Sequence, residues 1–240
     1  MNEFARITSF VRSMAKEDAG ALGELYRDAV KRGVPVIRPE ARELLKTQLL
    51  LKKPKRVLEI GTAVGYSSIY MTGFLSEDAQ ITTLELSEER TAEARTNVKR
   101  LGKETQIQVI CGDAAETLKE LPDDAYEFAF VDAAKAQYIY YLPDVLRVLK
   151  PGGVIVSDNI LQEGEVLESH FLVEKRNRTI HESRYAINRR DRTFMDGCGN
   201  ICMCSHMMIG WRQPSCQWGM VWQSRFCGNY VRKVNYSISG

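Results

Sequence analysis

The chain lacks a large excess of charge of either sign, and it lacks a long apolar run. Its 33 basic and 31 acidic residues leave a net charge of +2, so no global basic field points to nucleic acid. The N-terminal stretch MNEFARITSFVRSMAKED is charged throughout, unlike a signal peptide or a membrane span. We therefore expect a cytoplasmic protein with no membrane partner, and 240 residues suit one α/β domain.

The glycine pattern GxGxxG, which forms the pyrophosphate turn of dinucleotide-binding proteins, is also absent. In its place stands VLEIGTAVGYSS, residues 57–68, an apolar run followed by a turn between Gly61 and Gly65 and then a helical pattern. A strand, a glycine turn and a helix present backbone N–H groups to a nucleotide. The missing pattern favours a cofactor without a phosphate and disfavours a nicotinamide-dependent dehydrogenase, which is the alternative enzyme class.

Acidic side chains stand at the ends of the predicted strands. Strands alternate with helices along the chain, which indicates a doubly wound, mostly parallel sheet covered on both faces. Glu85 follows Gly65 by about 20 residues, the spacing at which an acid holds a ribose. The carboxyl ends of parallel strands line one crevice, so the acids there predict a ligand site: Glu59, Glu85, Asp113, Asp132 and Asp158.

A metal site is predicted at two of these strand ends. Asp132, Asp158 and Asn159 supply carboxylate and amide oxygens, which suit Mg²⁺, Mn²⁺ or Ca²⁺ and not zinc. Each residue alone has another interpretation, as a helix cap or a turn residue. The glycine turn and Glu85 nearby favour the metal.

With these residues assembled, the chain resembles the class I, metal-dependent O-methyltransferases of the catechol and caffeoyl-CoA type. Within them it is most similar to the bacterial branch that includes the tRNA 5-hydroxyuridine methyltransferase. The motifs span residues 33–162 and read GVPVIRPE, VLEIGTAVGYSS, ITTLELSEERTAEARTNVKR, GDAAETL, FVDAAKAQY and LKPGGVIVSDNIL. The resemblance implies a Rossmann-like α/β fold and contacts between S-adenosylmethionine and Ile37, Ser67, Glu85, Asp113 and Ala114. The strand-end residues Glu59, Gly61 and Asp132 are further predicted cofactor-binding residues.

The resemblance also implies a reaction. Asp132, Asp158 and Asn159 would hold Mg²⁺, and Lys135 would stand beside the acceptor hydroxyl, although a surface lysine at a helix start is an equal alternative. Ala136 replaces the glycine usual in that motif. The expected activity is methyl transfer to an acidic hydroxyl, on 5-hydroxyuridine at the tRNA wobble position or on a catechol-like small molecule. A homodimer is a further expected association.

The last part of the chain departs from the family pattern. Residues 168–193 hold a tandem repeat, ESHFLVEKRNRTIH followed by ESRYAINRRDRT, and from Cys198 onward lie five of the six cysteines and all three tryptophans. Read one base out of frame, Cys216–Trp222 becomes Pro-Val-Gly-Asp-Gly-Val, a turn that the family carries near its end. The rival interpretation is a zinc module, but the cysteine spacing matches no strong zinc pattern.

We interpret the tail as the frameshifted translation of a duplicated gene segment. The expected organisation is then N-terminal helices and a linker (1–55), a cofactor-binding core (56–165), a helical repeat segment (166–193) and a poorly ordered tail (194–240). The two C-terminal antiparallel strands of the family are expected to be missing. An inactive product of a frameshifted gene is therefore the alternative to an active enzyme.

Overall fold

A computed structural model describes residues 3–133, 138–158, 200–204 and 207–211. Three helices precede the first strand, and strands then alternate with helices. In chain order the elements are α1 (Glu3–Met14), α2 (Gly20–Lys31), α3 (Pro39–Lys52), β1 (Arg56–Ile60), α4 (Tyr66–Thr72), β2 (Gln80–Glu85), α5 (Glu88–Arg100), β3 (Ile107–Cys111), α6 (Ala114–Glu120), β4 (Tyr126–Val131), α7 (Tyr138–Val148), β5 (Leu149–Ser157), β6 (Asn200–Cys204) and β7 (Met207–Trp211).

Local chemistry accounts for several helix boundaries. α3 starts with Pro39, whose missing N–H costs nothing at the first helical position. The hydroxyl of Ser87 accepts a hydrogen bond from the backbone N–H of Arg90 and caps α5. Asp113 caps α6 in the same way, because its Oδ1 accepts from the N–H of Ala115 at 2.8 Å.

The strands form one sheet in the order β3-β2-β1-β4-β5-β7-β6. The first five are parallel, which confirms the predicted doubly wound, mostly parallel sheet. Chain order runs outward in opposite directions from the neighbouring pair β1 and β4. The carboxyl ends of such a pair form the crevice in which open α/β sheets bind ligands.

The prediction that the C-terminal antiparallel strands are missing is wrong for residues 200–204 and 207–211. β7 pairs antiparallel with β5, with Val154 opposite Trp211 and Ser157 opposite Met208, and β6 pairs with β7. Strand pairing is made by backbone groups, so an apolar segment without strict alternation can still satisfy the N–H and C=O groups along the edge of β5. Residues 159–199 and 212–240, with the rest of the predicted repeat and tail, lie outside the described residues.

Two apolar layers cover the sheet because neighbouring side chains on a strand point to opposite faces. On one face Val57 and Phe128 pack with α2, α3 and α5, so the N-terminal helices share a core with the sheet. On the other face Leu58 and Ala129 pack with α6 and α7. Every helix in the described part of the chain is too short or too polar to cross a bilayer.

Candidate active site

The ends of β1, β4 and β5 bring together three predicted site residues, Gly61, Asp132 and Asp158. The N–H of Asp132 donates to the carbonyl of Ile60 at 2.9 Å, and the N–H of Asp158 donates to the carbonyl of Val131 at 3.0 Å. A Cβ on Gly61 would lie 2.1 Å from the carbonyl oxygen of Asp132. Glycine is therefore required here for the close approach of the two strand ends.

Two of the three predicted metal ligands thus lie at adjacent strand ends, with Asp158 buried and Asp132 partly buried. Asn159, and the predicted catalytic residue Lys135, lie outside the described residues. Among the residues that the structure describes, no group of three or more His, Cys, Asp or Glu side chains could hold a metal. The predicted ligands are two aspartates and an asparagine, so they contain only two side chains of these types and are not tested by this finding. The metal site stays a prediction.

The turn after β1 is fastened to the end of β2. The N–H groups of Gly61 and Thr62 both donate to the carbonyl of Leu84, at 3.0 and 3.2 Å. Gly61, Ala63 and Gly65 have φ values of +101°, +47° and +83°. Two of these three positions with positive φ are glycines, which adopt such values without the penalty of a Cβ. The backbone conformation of the turn therefore depends on glycine at positions 61 and 65.

Glu85 lies across this turn. Its Oε2 accepts from the N–H of Ala63 at 2.8 Å, and its Oε1 accepts from the N–H of Ser87 at 3.0 Å. Each carboxylate oxygen can accept two hydrogen bonds, so these contacts orient the group and leave capacity for a ligand. Two neighbouring hydroxyl groups, such as those of a ribose, can donate hydrogen bonds to the acceptor positions that remain.

Sequence reasoning missed two residues beside Glu85. Ala63 supplies the backbone N–H that holds the carboxylate, and Leu86 exposes 68% of its surface immediately after β2. An exposed apolar side chain beside an acid at the edge of a crevice can cover a flat ligand ring. No sequence signal identified either residue, because Leu86 continues the apolar pattern of the strand and Ala63 acts through its backbone N–H.

Glu59 points into the protein, away from solvent. Its side chain is fully buried on β1, and its Oε2 accepts from the hydroxyls of Ser68 and Thr83, the latter at 2.6 Å. Burial raises the pKa of the Glu59 carboxyl, the nearby hydroxyls oppose that rise, and the charge of Glu85 adds to it. These contacts join β1, β2 and α4, while the predicted contact between Glu59 and a cofactor stays a prediction.

The remaining predicted cofactor residues lie on three segments. Ser67 is buried in the first turn of α4, directly after the glycine turn. Gly112 donates its N–H to the carbonyl of Glu85 at 2.9 Å, which places the following residues Asp113 and Ala114 next to the end of β2. Ile37 is buried ahead of α3, in the apolar cluster that also contains Val64 and Tyr66. The structure thus brings the start of α4 and the start of α6 to the same edge.

The strand order and the acid-flanked glycine turn define a class I methyltransferase fold with its ligand crevice at the β1/β4 strand ends. A family model described as O-methyltransferase matches residues 12–194. The catechol O-methyltransferase of Niastella koreensis is 30% identical over 172 residues, covering 70% of this chain and 78% of the relative. The chain belongs to the O-methyltransferase family, which confirms the resemblance found in the sequence.

Two further comparisons agree. The caffeoyl-CoA O-methyltransferase of Stellaria longipes is 35% identical over 133 residues, so the match spans 53% of this chain and 55% of that relative. Among solved structures, the SAH-bound methyltransferase PaMTH1 of Podospora anserina matches with a TM-score of 0.73 and 24% identity, covering 89% of this chain and 97% of that one. This structural match supports the fold.

Proposed function

We propose that this protein is an S-adenosylmethionine-dependent O-methyltransferase that acts on an acidic hydroxyl of a small molecule. The observation that carries the proposal is the orientation of Glu85 by the N–H groups of Ala63 and Ser87 at the edge of the glycine turn. A carboxylate held in this way accepts hydrogen bonds from a ribose, and Leu86 offers an apolar surface beside it. The cofactor, when bound, supplies an electrophilic methyl group.

The acceptor side of the site would be formed by Asp132, Asp158 and Asn159. Their oxygen atoms suit a hard divalent cation such as Mg²⁺, and the first two residues lie at the ends of neighbouring strands. A divalent cation bound there lowers the pKa of a coordinated hydroxyl. Lys135 is our candidate to accept the hydroxyl proton, a contribution of about 10²–10⁴ in rate for general bases.

Catechol-like compounds are the favoured acceptors, because the relatives named above are catechol and caffeoyl-CoA O-methyltransferases. The net charge of +2 offers no strong field for RNA. Methyl transfer to tRNA but not to a catechol would reverse this choice of acceptor.

The direct test is calorimetric titration of S-adenosylmethionine into the wild type and into Glu85→Gln. Losing a charged hydrogen-bond acceptor costs about 1.5–3 kcal/mol, so we expect Kd to rise about tenfold or more. Glu88→Gln is the matched control, since it removes the same charge three residues away on an exposed position of α5. We expect less than a twofold change there, and an unchanged Kd for Glu85→Gln would remove Glu85 from the site.

A second candidate is an inactive product of a frameshifted gene. It is favoured by the out-of-frame reading of Cys216–Trp222 as Pro-Val-Gly-Asp-Gly-Val. Catechol methylation should be compared between this chain and one encoded with a base restored after codon 193. Activity that appears only after restoration would establish this candidate, and equal activity would exclude it.

A further inference from the structure

A buried arginine joins the N-terminal helices to the helix that follows the glycine turn. The side chain of Arg42, on α3, is 3% exposed. Its Nη1 donates to Oδ2 of Asp18 at 2.5 Å and to the hydroxyl of Tyr66 at 2.7 Å, and its Nη2 donates to the carbonyl of Lys16. One guanidinium thus contacts the α1–α2 connection and α4.

Aromatic rings complete the surroundings of this charge. The guanidinium carbon lies 5.3 Å from the centre of the Tyr70 ring and 5.9 Å from that of Tyr26. The Tyr66 ring packs between them, with centroid distances of 5.1 Å to Tyr26 and 6.2 Å to Tyr70. Arginine suits this site better than lysine, because its planar fork donates several hydrogen bonds while its faces contact rings.

Tyr66 connects this cluster to the proposed cofactor site. It is the first residue of α4, it follows Gly65 at the closing end of the turn, and it precedes Ser67. Its hydroxyl donates to Asp18 while it accepts from Arg42. Burial and the neighbouring Asp18 raise the pKa of the Tyr66 hydroxyl, so it keeps the proton that it donates.

Arg42 also lies close in sequence to a second predicted cofactor residue. α3 begins at Pro39, two residues after Ile37, and Arg42 is the fourth residue of that helix, so its contacts hold the start of the helix that follows Ile37. Ile37 and Ser67 lie on segments that are separate in sequence, and the contact between Arg42 and Tyr66 spans them. A shift of either segment would break a buried, charge-assisted hydrogen bond.

We propose that Arg42 is a positioning residue for cofactor binding, which acts through Tyr66 to hold the closing end of the glycine turn at a fixed place relative to the N-terminal segment. The inference rests on the proposed function, because the ligand held by the turn is S-adenosylmethionine. A turn that is already in its binding shape binds more tightly, since less ordering is required when the ligand arrives.

The test compares two Tyr→Phe variants on the same helix. Tyr66→Phe removes the hydroxyl between Arg42 and the turn but leaves the Arg42–Asp18 ion pair, so no buried charge loses its partner. Tyr70→Phe is the matched control: both rings are buried and stacked on each other, but the contact of the Tyr70 hydroxyl with the backbone carbonyl of Arg42 is long, at 3.5 Å.

We expect Tyr66→Phe to raise the Kd for S-adenosylmethionine about five- to tenfold, which is less than the full loss of one charge-assisted hydrogen bond because the hydroxyl acts on the ligand only through the turn. Tyr70→Phe should stay within twofold. Backbone amide exchange in residues 61–65 should become faster in Tyr66→Phe only. A lower Tm with unchanged Kd and unchanged exchange would show a purely structural role, and equal weakening by both variants would also overturn the proposal.

The wild type and Glu85→Gln serve as references in the same titration. A wild type that does not bind S-adenosylmethionine defeats the proposed function itself. A wild type that binds, with weaker binding in Glu85→Gln and normal binding in Tyr66→Phe, defeats only the role of Arg42.

Discussion

Replacing Gly61 by alanine should damage both the fold and the site. The value of φ, +101°, lies beyond the left-handed region near +50 to +70° that other residues reach, and left-handed backbone costs a residue with a Cβ about 1–2 kcal/mol. The new Cβ would also lie 2.1 Å from the carbonyl oxygen of Asp132, where close C···O contacts are about 3.3–3.6 Å. The ends of β1 and β4 must therefore separate by about 1 Å or more.

This separation breaks a specific contact. The hydrogen bond from the N–H of Asp132 to the carbonyl of Ile60 is 2.9 Å long, and lengthening it by that amount removes about 0.5–1.5 kcal/mol. With the backbone penalty, we expect Gly61→Ala to lower the free energy of unfolding by about 1.5–3.5 kcal/mol. Binding of S-adenosylmethionine should be lost, because the turn and Asp132 no longer meet.

Urea denaturation followed by circular dichroism measures the first effect, and calorimetry measures the second. Gly102→Ala is the matched control: its φ is +65°, and a Cβ there meets nothing within 4 Å. The free energy of unfolding of Gly102→Ala should fall only by the backbone penalty of about 1–2 kcal/mol, and its affinity for the cofactor should be unchanged. If Gly61→Ala is as stable as Gly102→Ala and binds the cofactor normally, the reasoning about the close strand approach is refuted.

Two further predictions concern Glu59 and the metal. Burial raises the pKa of the Glu59 carboxyl above its ordinary value of 4.5. Between these two pKa values the folded protein retains a proton that the unfolded chain releases. The free energy of unfolding therefore falls as pH rises from 4.5 through the folded pKa. Glu59→Gln keeps the neutral shape, so its stability advantage over the wild type should grow with pH across this window; parallel stability curves would contradict the raised pKa. Catechol methylation should stop in EDTA and return with Mg²⁺ if Asp132, Asp158 and Asn159 hold the ion. Activity that is indifferent to EDTA would remove the metal from the mechanism.

The sequence alone determined the parallel sheet and the location of the crevice. Both follow from local patterns: apolar runs of strand length, helices between them, and an acid or glycine where each run ends. Glu85 could be assigned to the site for the same reason, because its distance from the glycine turn is a property of one βαβ unit.

The roles of other residues were decided only by the tertiary structure. The sequence showed that residue 61 is a glycine, but only the pairing of β1 with β4 brings the Asp132 carbonyl to the place where a Cβ would lie. The sequence placed the acid Glu59 just before the turn, but only the neighbouring strand and helix bring the hydroxyls of Thr83 and Ser68 to its carboxyl group.

The antiparallel strands and the contacts of Arg42 also could not be predicted from the sequence alone. The segment 207–211 has no clear strand period, and its pairing depends on the edge that β5 offers. Arg42 looks like any helical arginine, because its partners Asp18 and Tyr66 are each 24 residues away in the chain. Periodicity and spacing describe a residue's own element, whereas the contacts of a buried polar group depend on which elements the fold places beside it.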